Sequence, residues 1–231
     1  MIVDISEKFD PNIFKDKYIK IVMDLGGAGF FVFPNYVINH LIWAEEYDVH
    51  DRLFVYFDEN DDVFRNKYYD ASAGENMWEY YFEPISNVNY NALPKDKIIQ
   101  LSPESSYKYL HETCEKSVFV YPHGAYSWKR KQYDKKWYYR NRLKANEIIN
   151  KYINVKPHIL AKVDTFCREY FSDNVLGIHI RGTDKVSAVG GRIVIPEEYF
   201  RHIDDYLREN RNVIIFCATD SDVSLDIINK R

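Results

Sequence analysis

The stretch "VLGIHIRGTDK", Val175 to Lys185, decides the fold of this chain. An apolar, strand-forming run passes directly into Arg, Thr, Asp and Lys, and a Gly-Gly pair follows a few residues later. A second run, "NVIIFCAT" from Asn212 to Thr219, also ends in polar residues. Between the two, "PEEYFRHIDDYLREN" has the apolar spacing of an amphipathic helix. The order strand, helix, strand predicts a βαβ unit with parallel strands.

The same alternation continues towards the N-terminus, where four more runs have strand character: residues 18–25, 53–57, 97–101 and 117–121. Because all these runs are almost continuously apolar, we predict strands that are buried on both faces. A helix with Pro34 in its first turn is predicted after the first strand. A longer helical stretch from about residue 135 to 170 is predicted to divide at Pro157, since proline lacks a backbone donor.

A polar turn near residues 172–174 predicts a domain boundary. Residues 1–172 would form an N-terminal α/β domain, and residues 173–231 would begin a Rossmann-like domain. Only two strands follow residue 174, which is fewer than a doubly wound half-domain usually has. The terminal "DIINKR" also looks cut inside a helix. We therefore expect the second domain to be incomplete, either in a truncated chain or in an unusually reduced protein.

The composition excludes several classes of protein. With 231 residues, 46% of them hydrophobic, the chain can bury a substantial core. A net charge of only −4 argues against nucleic acid or an anionic membrane as partner, so a bound anion must meet a local site. The three cysteines are far apart and predicted to be buried thiols of a reducing compartment. No signal peptide and no apolar run of about 18 residues is found, which predicts a cytoplasmic protein without a membrane span.

The first candidate site follows the strand that ends at Ile180. Ligands of open α/β sheets collect at the carboxyl ends of the strands. Alternation puts His179 and Arg181 on one side of the strand, where a guanidinium can hold two phosphate oxygens. Lys185 would add a second positive charge, and Asp184 could fix the arginine or the loop. The structural alternative is an Arg181–Asp184 salt bridge beside a packed His179, but four polar groups before the Gly-Gly pair favour a functional site.

A second candidate lies in "FCATDSDVS", after the last strand. Thr219 and Asp220 could hydrogen-bond a ribose or a base, and Ser221 could do the same. The alternative is a helix cap, because Asp and Ser are favoured just before a helix. Asp220 and Asp222 also form an Asp-x-Asp pattern, by which many metal-dependent glycosyltransferases hold a divalent cation.

Two further segments carry weaker signals. In "DLGGAGFF", Gly27 and Gly29 would let backbone N–H groups approach a phosphate, although Val32 stands where a dinucleotide fingerprint has its third glycine. An ordinary tight turn explains that segment as well. The acidic stretch "DENDDV" from Asp58 to Val63 lacks calcium-loop spacing and is interpreted as a solvated loop.

The pattern "IHIRGTDKV…IPEEYF…IIFCATDSD" resembles the donor-binding core of the GDP-fucose-dependent fucosyltransferases, above all the alpha-1,6-fucosyltransferases and nodulation fucosyltransferases. That family has a His-x-Arg-x-x-Asp-Lys segment, a Glu-Glu-Tyr helix start and an Ala-Thr-Asp segment after a strand. The match is dense over Val175–Asp222 and faint near Asp24–Glu46. It implies a GT-B-like α/β fold with two Rossmann-like domains. It also implies an inverting, metal-independent transfer of fucose to a carbohydrate acceptor, with the N-terminal domain on the acceptor side.

The resemblance also implies a role for each matching residue. Arg181 would bind the GDP phosphates and stabilise the leaving diphosphate, with His179 and Lys185 beside it. Asp184 would organise the loop. The remaining positions would support the donor: Tyr199, Thr219 and Asp220 in the C-terminal domain, and Gly27 and Gly29 from the N-terminal domain.

The sequence departs from the family pattern at two positions of the loop. The family's second arginine is Gly182 here, and the glutamate proposed to deprotonate the acceptor falls at Val189. Two other functions therefore stay open. One is a metal-dependent GT-A glycosyltransferase that uses Asp220 and Asp222. The other is a non-catalytic module that binds a nucleotide or a glycan.

Overall fold

The computed structural model describes residues 11–22, 30, 32–58, 68–101, 135–181 and 194–230. The chain divides into two compact units, Met1–Ile159 and Leu160–Arg231. A domain boundary after residue 172 remains a prediction. Both units combine helices with a parallel sheet, so the predicted α/β class with mainly parallel strands is confirmed.

Among its described residues, the first unit contains a three-stranded parallel sheet. Strands β1 (Tyr18–Ile21), β2 (Leu53–Val55) and β3 (Ile98–Leu101) are arranged in the order β2-β1-β3. In the register, Lys20 is paired with Phe54 on one side and with Gln100 on the other. The predicted strand at residues 117–121 lies outside the described residues.

Among the described residues, two helices accompany this sheet, α1 (Val32–Glu46) and α2 (Lys135–Tyr152), while α3 (Pro157–Tyr170) begins in the first unit and lies mostly in the second. The break between α2 and α3 falls at Pro157, as predicted. Helix α1 ends because Asp48 adopts a left-handed conformation with φ of 54°, and the Val49 N–H then bonds the Ala44 carbonyl at 2.8 Å. Short 3₁₀ turns occupy Pro11–Phe14, His50–Arg52, Met77–Tyr80, Tyr90–Ala92 and Lys95–Lys97.

The core of the first unit lies between α1 and one face of its sheet. Ile19, Ile21 and Leu53 are fully buried against Leu41 and Trp43 of the helix. A clamp at the end of α1 ties it to α2: the Glu45 carboxylate accepts hydrogen bonds from Lys151 Nζ at 2.6 Å and the Tyr152 hydroxyl at 2.9 Å. Burial raises the pKa of Glu45, but these bonds and Lys144 outweigh it and hold the pKa below its usual value.

The second unit contains β4 (Val175–Ile180), α4 (Pro196–Glu209), β5 (Ile214–Thr219) and α5 (Asp222–Asn229). The two strands are parallel, as the βαβ prediction requires. Strand β5 starts later than predicted because Asn212 takes a left-handed φ of 54°. The start of β4 is tied to α4, because Asn174 Oδ1 accepts from the Tyr206 hydroxyl at 3.1 Å, and to the α4–β5 connection, because Asn174 Nδ2 donates to the Arg211 carbonyl at 3.3 Å.

Two predictions about burial are wrong. In β5, Ile214, Ile215 and Phe216 are 37–40% exposed, in β4 only Ile180 is buried, and β1 and β3 alternate buried with half-buried residues, so these strands are not buried on both faces. An apolar run does not reveal how many layers cover a strand, and here Phe216 is contacted on its α3 side by Phe166 with ring centroids 6.0 Å apart. Cys167 and Cys217 are partly exposed free thiols and not buried ones. Cys114 lies outside the described residues.

Within the described residues, no helix is both long and apolar enough to cross a lipid bilayer.

Candidate functional site

The candidate site is built at the carboxyl ends of β4 and β5. The two strands pair in register from Val175 with Ile214 to Ile180 with Thr219. Arg181 and Asp220 each follow one member of that last pair, so the two polar segments leave the sheet side by side at the same edge. This is the edge at which ligands of open α/β sheets bind.

The β4 side presents His179 and Arg181. His179 and Arg181 are exposed, whereas Ile180 between them is fully buried. This alternation follows from the pleat of the strand. The buried isoleucine fixes the strand end, so that the imidazole and the guanidinium leave it on the solvent side.

Helix α4 supports the β4 end through Tyr199. Pro196 opens the helix, and the Ile195 N–H bonds the Glu198 carboxylate at 3.4 Å, so the first turn is fixed. The Tyr199 hydroxyl then donates to the His179 carbonyl at 3.3 Å. Tyr199 thus holds the backbone next to Arg181 through the His179 carbonyl and not through its side chain.

The β5 side is an ordered turn that opens α5. The Ser221 N–H donates to Thr219 Oγ1 at 3.2 Å, and Ser221 Oγ accepts from the Ser224 N–H at 3.3 Å. Ser221 is therefore the N-cap of α5, and the helix-cap alternative is correct for this residue. Since both hydroxyl oxygens act as acceptors here, each O–H can still donate to a ligand.

The charges at this edge are divided between the two strand ends. Asp220 and Asp222 are exposed and flank the cap of α5, where negative charge is favoured by the helix dipole. The same carboxylates repel a phosphate from that helix end. The positive charge lies on the β4 side, at Arg181. An anionic group is therefore favoured beside Arg181, and a group rich in hydrogen-bond donors is favoured beside Asp220.

Several predicted site residues lie outside the described residues. These are Gly27, Gly29, Asp184 and Lys185, together with the two departures from the family pattern, Gly182 and Val189. Among the residues that the structure does describe, no group of three or more His, Cys, Asp or Glu side chains is arranged to hold a metal ion.

Sequence reasoning missed a second polar cluster, on the sheet of the first unit. Asp58 was interpreted as part of a solvated loop, but it is half-buried and its Oδ2 lies 3.3 Å from Lys20 Nζ. Tyr56 and Tyr90 lie next to this ion pair. The available signal was Lys20 itself, because a lysine inside an apolar strand requires a partner for its charge. Residues 59–63 of the acidic stretch lie outside the described residues.

No protein-family model and no curated protein matches this chain. Among solved structures, it is similar to fucosyltransferase NodZ from Bradyrhizobium, at 15% identity and a TM-score of 0.48. That similarity covers 93% of this chain and 76% of the other. NodZ alpha-1,6-fucosyltransferase soaked with GDP-fucose is also similar, at 15% identity and a TM-score of 0.47, covering 93% and 75% of the two chains. NodZ alpha-1,6-fucosyltransferase co-crystallized with GDP is similar at 15% identity and a TM-score of 0.47. That similarity covers 94% of this chain and 76% of the other.

Proposed function

We propose that this chain is a glycosyltransferase that transfers fucose from GDP-fucose to a carbohydrate acceptor, with inversion and without a metal ion. Two lines of support meet at one edge of the second unit. The motif pattern over Val175–Asp222 resembles that of GDP-fucose-dependent enzymes. The in-register pairing of Ile180 with Thr219, which brings both halves of that pattern together, is the observation that carries the proposal.

In this proposal Arg181 holds the diphosphate. Its guanidinium can donate two parallel hydrogen bonds to phosphate oxygens, and it keeps its charge at any working pH. His179 and Lys185 lie beside it in the sequence and would share the contact. Asp184 would order the loop, and Gly27 and Gly29 would close over the donor from the N-terminal domain.

The guanine base is assigned to the β5 side. Guanine carries N–H donors at N1 and N2, and a carboxylate is an acceptor-only group, so Asp220 suits that edge of the base. Thr219 and Ser221 have hydroxyl hydrogens for the ribose or the base carbonyl. Uracil has a single N–H donor on the corresponding edge, so it can make one hydrogen bond fewer with a carboxylate. We therefore expect GDP to bind more tightly than UDP.

The chemistry is a single displacement at the anomeric carbon of fucose. The acceptor hydroxyl forms the new C–O bond while the bond from that carbon to the β-phosphate oxygen breaks, and GDP leaves with the bonding pair. Negative charge builds on the diphosphate as the bond breaks, so a fixed cation at Arg181 stabilises the transition state more than the ground state. The hydroxyl proton must pass to a base, and with Val189 at the family's glutamate position that base lies outside the matched motifs.

A non-catalytic nucleotide-binding or glycan-binding module is the second candidate. Gly182 and Val189 favour it, because they remove one phosphate donor and the proposed base from the loop. Such a module would bind GDP through the same edge but would show no transfer. The metal-dependent alternative, with Asp220 and Asp222 as ligands, predicts instead that GDP binding and transfer depend on a divalent cation.

The test is calorimetric titration with GDP and UDP of the parent chain, Arg181→Ala and Arg201→Ala. Arg201 is the matched control, an arginine of α4 whose side chain is 86% exposed. Losing the charge-assisted contact of Arg181 should cost roughly 2–3 kcal/mol, a 30- to 150-fold weaker Kd for GDP. The control should bind GDP like the parent.

Equal GDP affinity in the parent and in Arg181→Ala would refute the phosphate contact. Transfer assays with GDP-fucose and a panel of acceptor glycans separate the remaining functions. Transfer that persists in EDTA supports the proposal. Transfer lost in EDTA and restored by manganese supports the metal-dependent alternative, and tight GDP binding without any transfer supports the binding module.

A further inference from the structure

The sheet of the first unit has a second face that the core does not use. On this face β1 contributes Tyr18 and Lys20, while Phe54 and Tyr56 come from β2 and the residue directly after it. Phe54 is buried, yet it does not belong to the core cluster under α1. Tyr18, Lys20 and Tyr56 remain half-buried. The face is thus partly open, and it leads to the carboxyl ends of β1 and β2.

Five residues form a compact polar and aromatic cluster on this face, and we call it the Tyr56 surface: Lys20, Tyr56, Asp58, Glu79 and Tyr90. Lys20 Nζ lies 4.5 Å from the Tyr56 ring centroid and 3.3 Å from Asp58 Oδ2. The rings of Tyr56 and Tyr90 meet edge to face with centroids 4.7 Å apart. The Tyr90 hydroxyl donates to Glu79 Oε1 at 3.2 Å.

Buried residues beneath the Tyr56 surface hold its side chains in place. The Tyr90 ring stacks on Phe54 with centroids 5.7 Å apart and an angle of 14° between the planes. Asn76, which is buried, donates from Nδ2 to Glu79 Oε1 at 2.9 Å and also to the Val55 carbonyl at 2.9 Å. The carboxylate and the ring are therefore preorganised before any ligand arrives, which lowers the entropic cost of binding.

The charges of this cluster select the class of ligand. Asp58 and Glu79 outnumber Lys20, and the exposed Glu75 is close enough to act on both tyrosines. A phosphate or sulfate group is therefore disfavoured here. A cationic ligand is disfavoured as well, because the Lys20 ammonium already lies over the Tyr56 ring.

A neutral, hydroxyl-rich ligand matches the carboxylates and tyrosine side chains of the Tyr56 surface. Carboxylates accept hydrogen bonds from neighbouring hydroxyls, and partly exposed tyrosines offer apolar ring area with a polar hydroxyl. Burial and the charge of Glu75 raise the pKa of Tyr56 to about 12. Burial and the charge of Glu79 raise the pKa of Tyr90. Both hydroxyls consequently stay protonated through the physiological range, so the Tyr90 O–H keeps its bond to Glu79 and the Tyr56 O–H can donate to a ligand.

We propose that the Tyr56 surface binds a neutral oligosaccharide. This assignment rests on the proposed glycosyl transfer for its biological meaning, since that reaction needs an acceptor glycan. The binding itself depends only on residues of the first unit.

The experiment has two steps and uses the full chain without GDP. An array of neutral, sialylated and sulfated glycans identifies the retained class. Saturation-transfer NMR titration with the neutral oligosaccharide that is retained best then gives the Kd for the parent and three variants. Tyr90→Ala removes the ring and the hydroxyl, Tyr90→Phe keeps the ring, and Tyr139→Ala is the control, a tyrosine of α2 that is 64% exposed.

We expect neutral glycans to be retained in preference to anionic ones. The Kd for the neutral oligosaccharide should rise about tenfold in Tyr90→Ala. In Tyr90→Phe it should stay within about threefold of the parent's Kd, and in Tyr139→Ala it should equal the parent's Kd. The urea-unfolding midpoint of each variant, measured in parallel, reports that the chain is still folded.

A parent chain that binds GDP but retains no neutral glycan overturns the saccharide site and leaves the donor proposal standing. Equal saccharide affinity in Tyr90→Ala and the parent overturns it too, as does a preference for sulfated or sialylated glycans. Saccharide binding in a chain that does not bind GDP supports the Tyr56 surface and contradicts the proposed fucosyl transfer.

Discussion

At the scale of single residues, His40 sets a limit on the pH at which the first unit is stable. It is completely buried on α1, and its Nδ1 lies 2.8 Å from the Tyr36 carbonyl, the geometry of a neutral imidazole that donates from Nδ1. Within the part of the chain that the structure describes, its Nε2 has no hydrogen-bond partner. Burial lowers the pKa of His40 to about 4, against the smaller opposite effect of that hydrogen bond.

We predict that acid destabilises the chain through this residue. The folded pKa lies below the unfolded one, so the contribution of His40 is fully present above about pH 6.5 and is lost as the pH falls towards 4. Between pH 7.5 and 5 this amounts to about 2 kcal/mol of unfolding free energy. Urea denaturation at both pH values measures it. His40→Leu should flatten the dependence, and His158→Gln, an exposed position on α3, should not; a parental slope in His40→Leu would contradict the assignment.

The role of a single side chain could be predicted from the sequence where its partners are close to it along the chain. The cap of α5 belongs to this class, because Ser221 bonds a residue three positions further along the chain. The interpretation failed for Asp58, which follows β2, because its partner Lys20 lies on β1. Only the β1–β2 register brings them together, and the sequence does not encode that register locally.

At the scale of elements, the Glu45 clamp decides how firmly α1 and α2 are joined. One carboxylate receives three donors from α2: Lys144, Lys151 and Tyr152. The lysines are substantially exposed, whereas Tyr152 is 9% exposed. Because exposed ion pairs are weakened by solvent and salt, the tyrosine bond should be the stronger part of the clamp.

We predict that Tyr152→Phe lowers the free energy of unfolding by about 1.5 kcal/mol, since it removes one hydrogen bond to a charged acceptor and leaves the packing intact. Chemical denaturation measures the change. The control Glu147→Gln removes a 69% exposed carboxylate of the same helix and should stay within about 0.5 kcal/mol of the parent. A larger effect in the control than in Tyr152→Phe would show that the clamp does not stabilise the pair of helices.

Some boundaries of elements could be predicted because short-range chemistry sets them. Pro157 opens α3 and Pro196 opens α4, and both were visible in the sequence. Strand β4 occupies the predicted residues for the same reason, since its apolar run stops at Arg181. The partial exposure of β5 could not be predicted, because the number of layers over a strand depends on the whole unit.

At the scale of the whole molecule, the two sheets differ in how their strands are protected. Strand β1 pairs with a neighbour on each side, and Ile19 and Ile21 are fully buried. Strand β5 pairs only with β4 among the described residues, so alternate N–H groups point away from that ladder. Its first half is also exposed.

We predict that the amides of β5 exchange with solvent at least about 100-fold faster than those of β1, because opening a singly paired, partly exposed strand costs less free energy than opening a central one. Hydrogen exchange followed by mass spectrometry measures both strands in one sample. A guanidinium-unfolded sample supplies the intrinsic rates. Equal protection of the two strands would mean that the sheet of the second unit is covered as well as that of the first.

The register between β4 and β5 also restricts how this chain can change length. Each residue of a strand advances the chain by about 3.3 Å and turns the next side chain to the opposite face. One residue inserted into β5 would move Asp220 away from Arg181 by that distance and reverse the direction of its carboxylate. Insertions and deletions between the two strands, where α4 and its flanking loops take up the difference, leave both ends in place. The strand pairing thus fixes the spacing of Arg181 and Asp220, while the segment that joins the two strands tolerates changes of length.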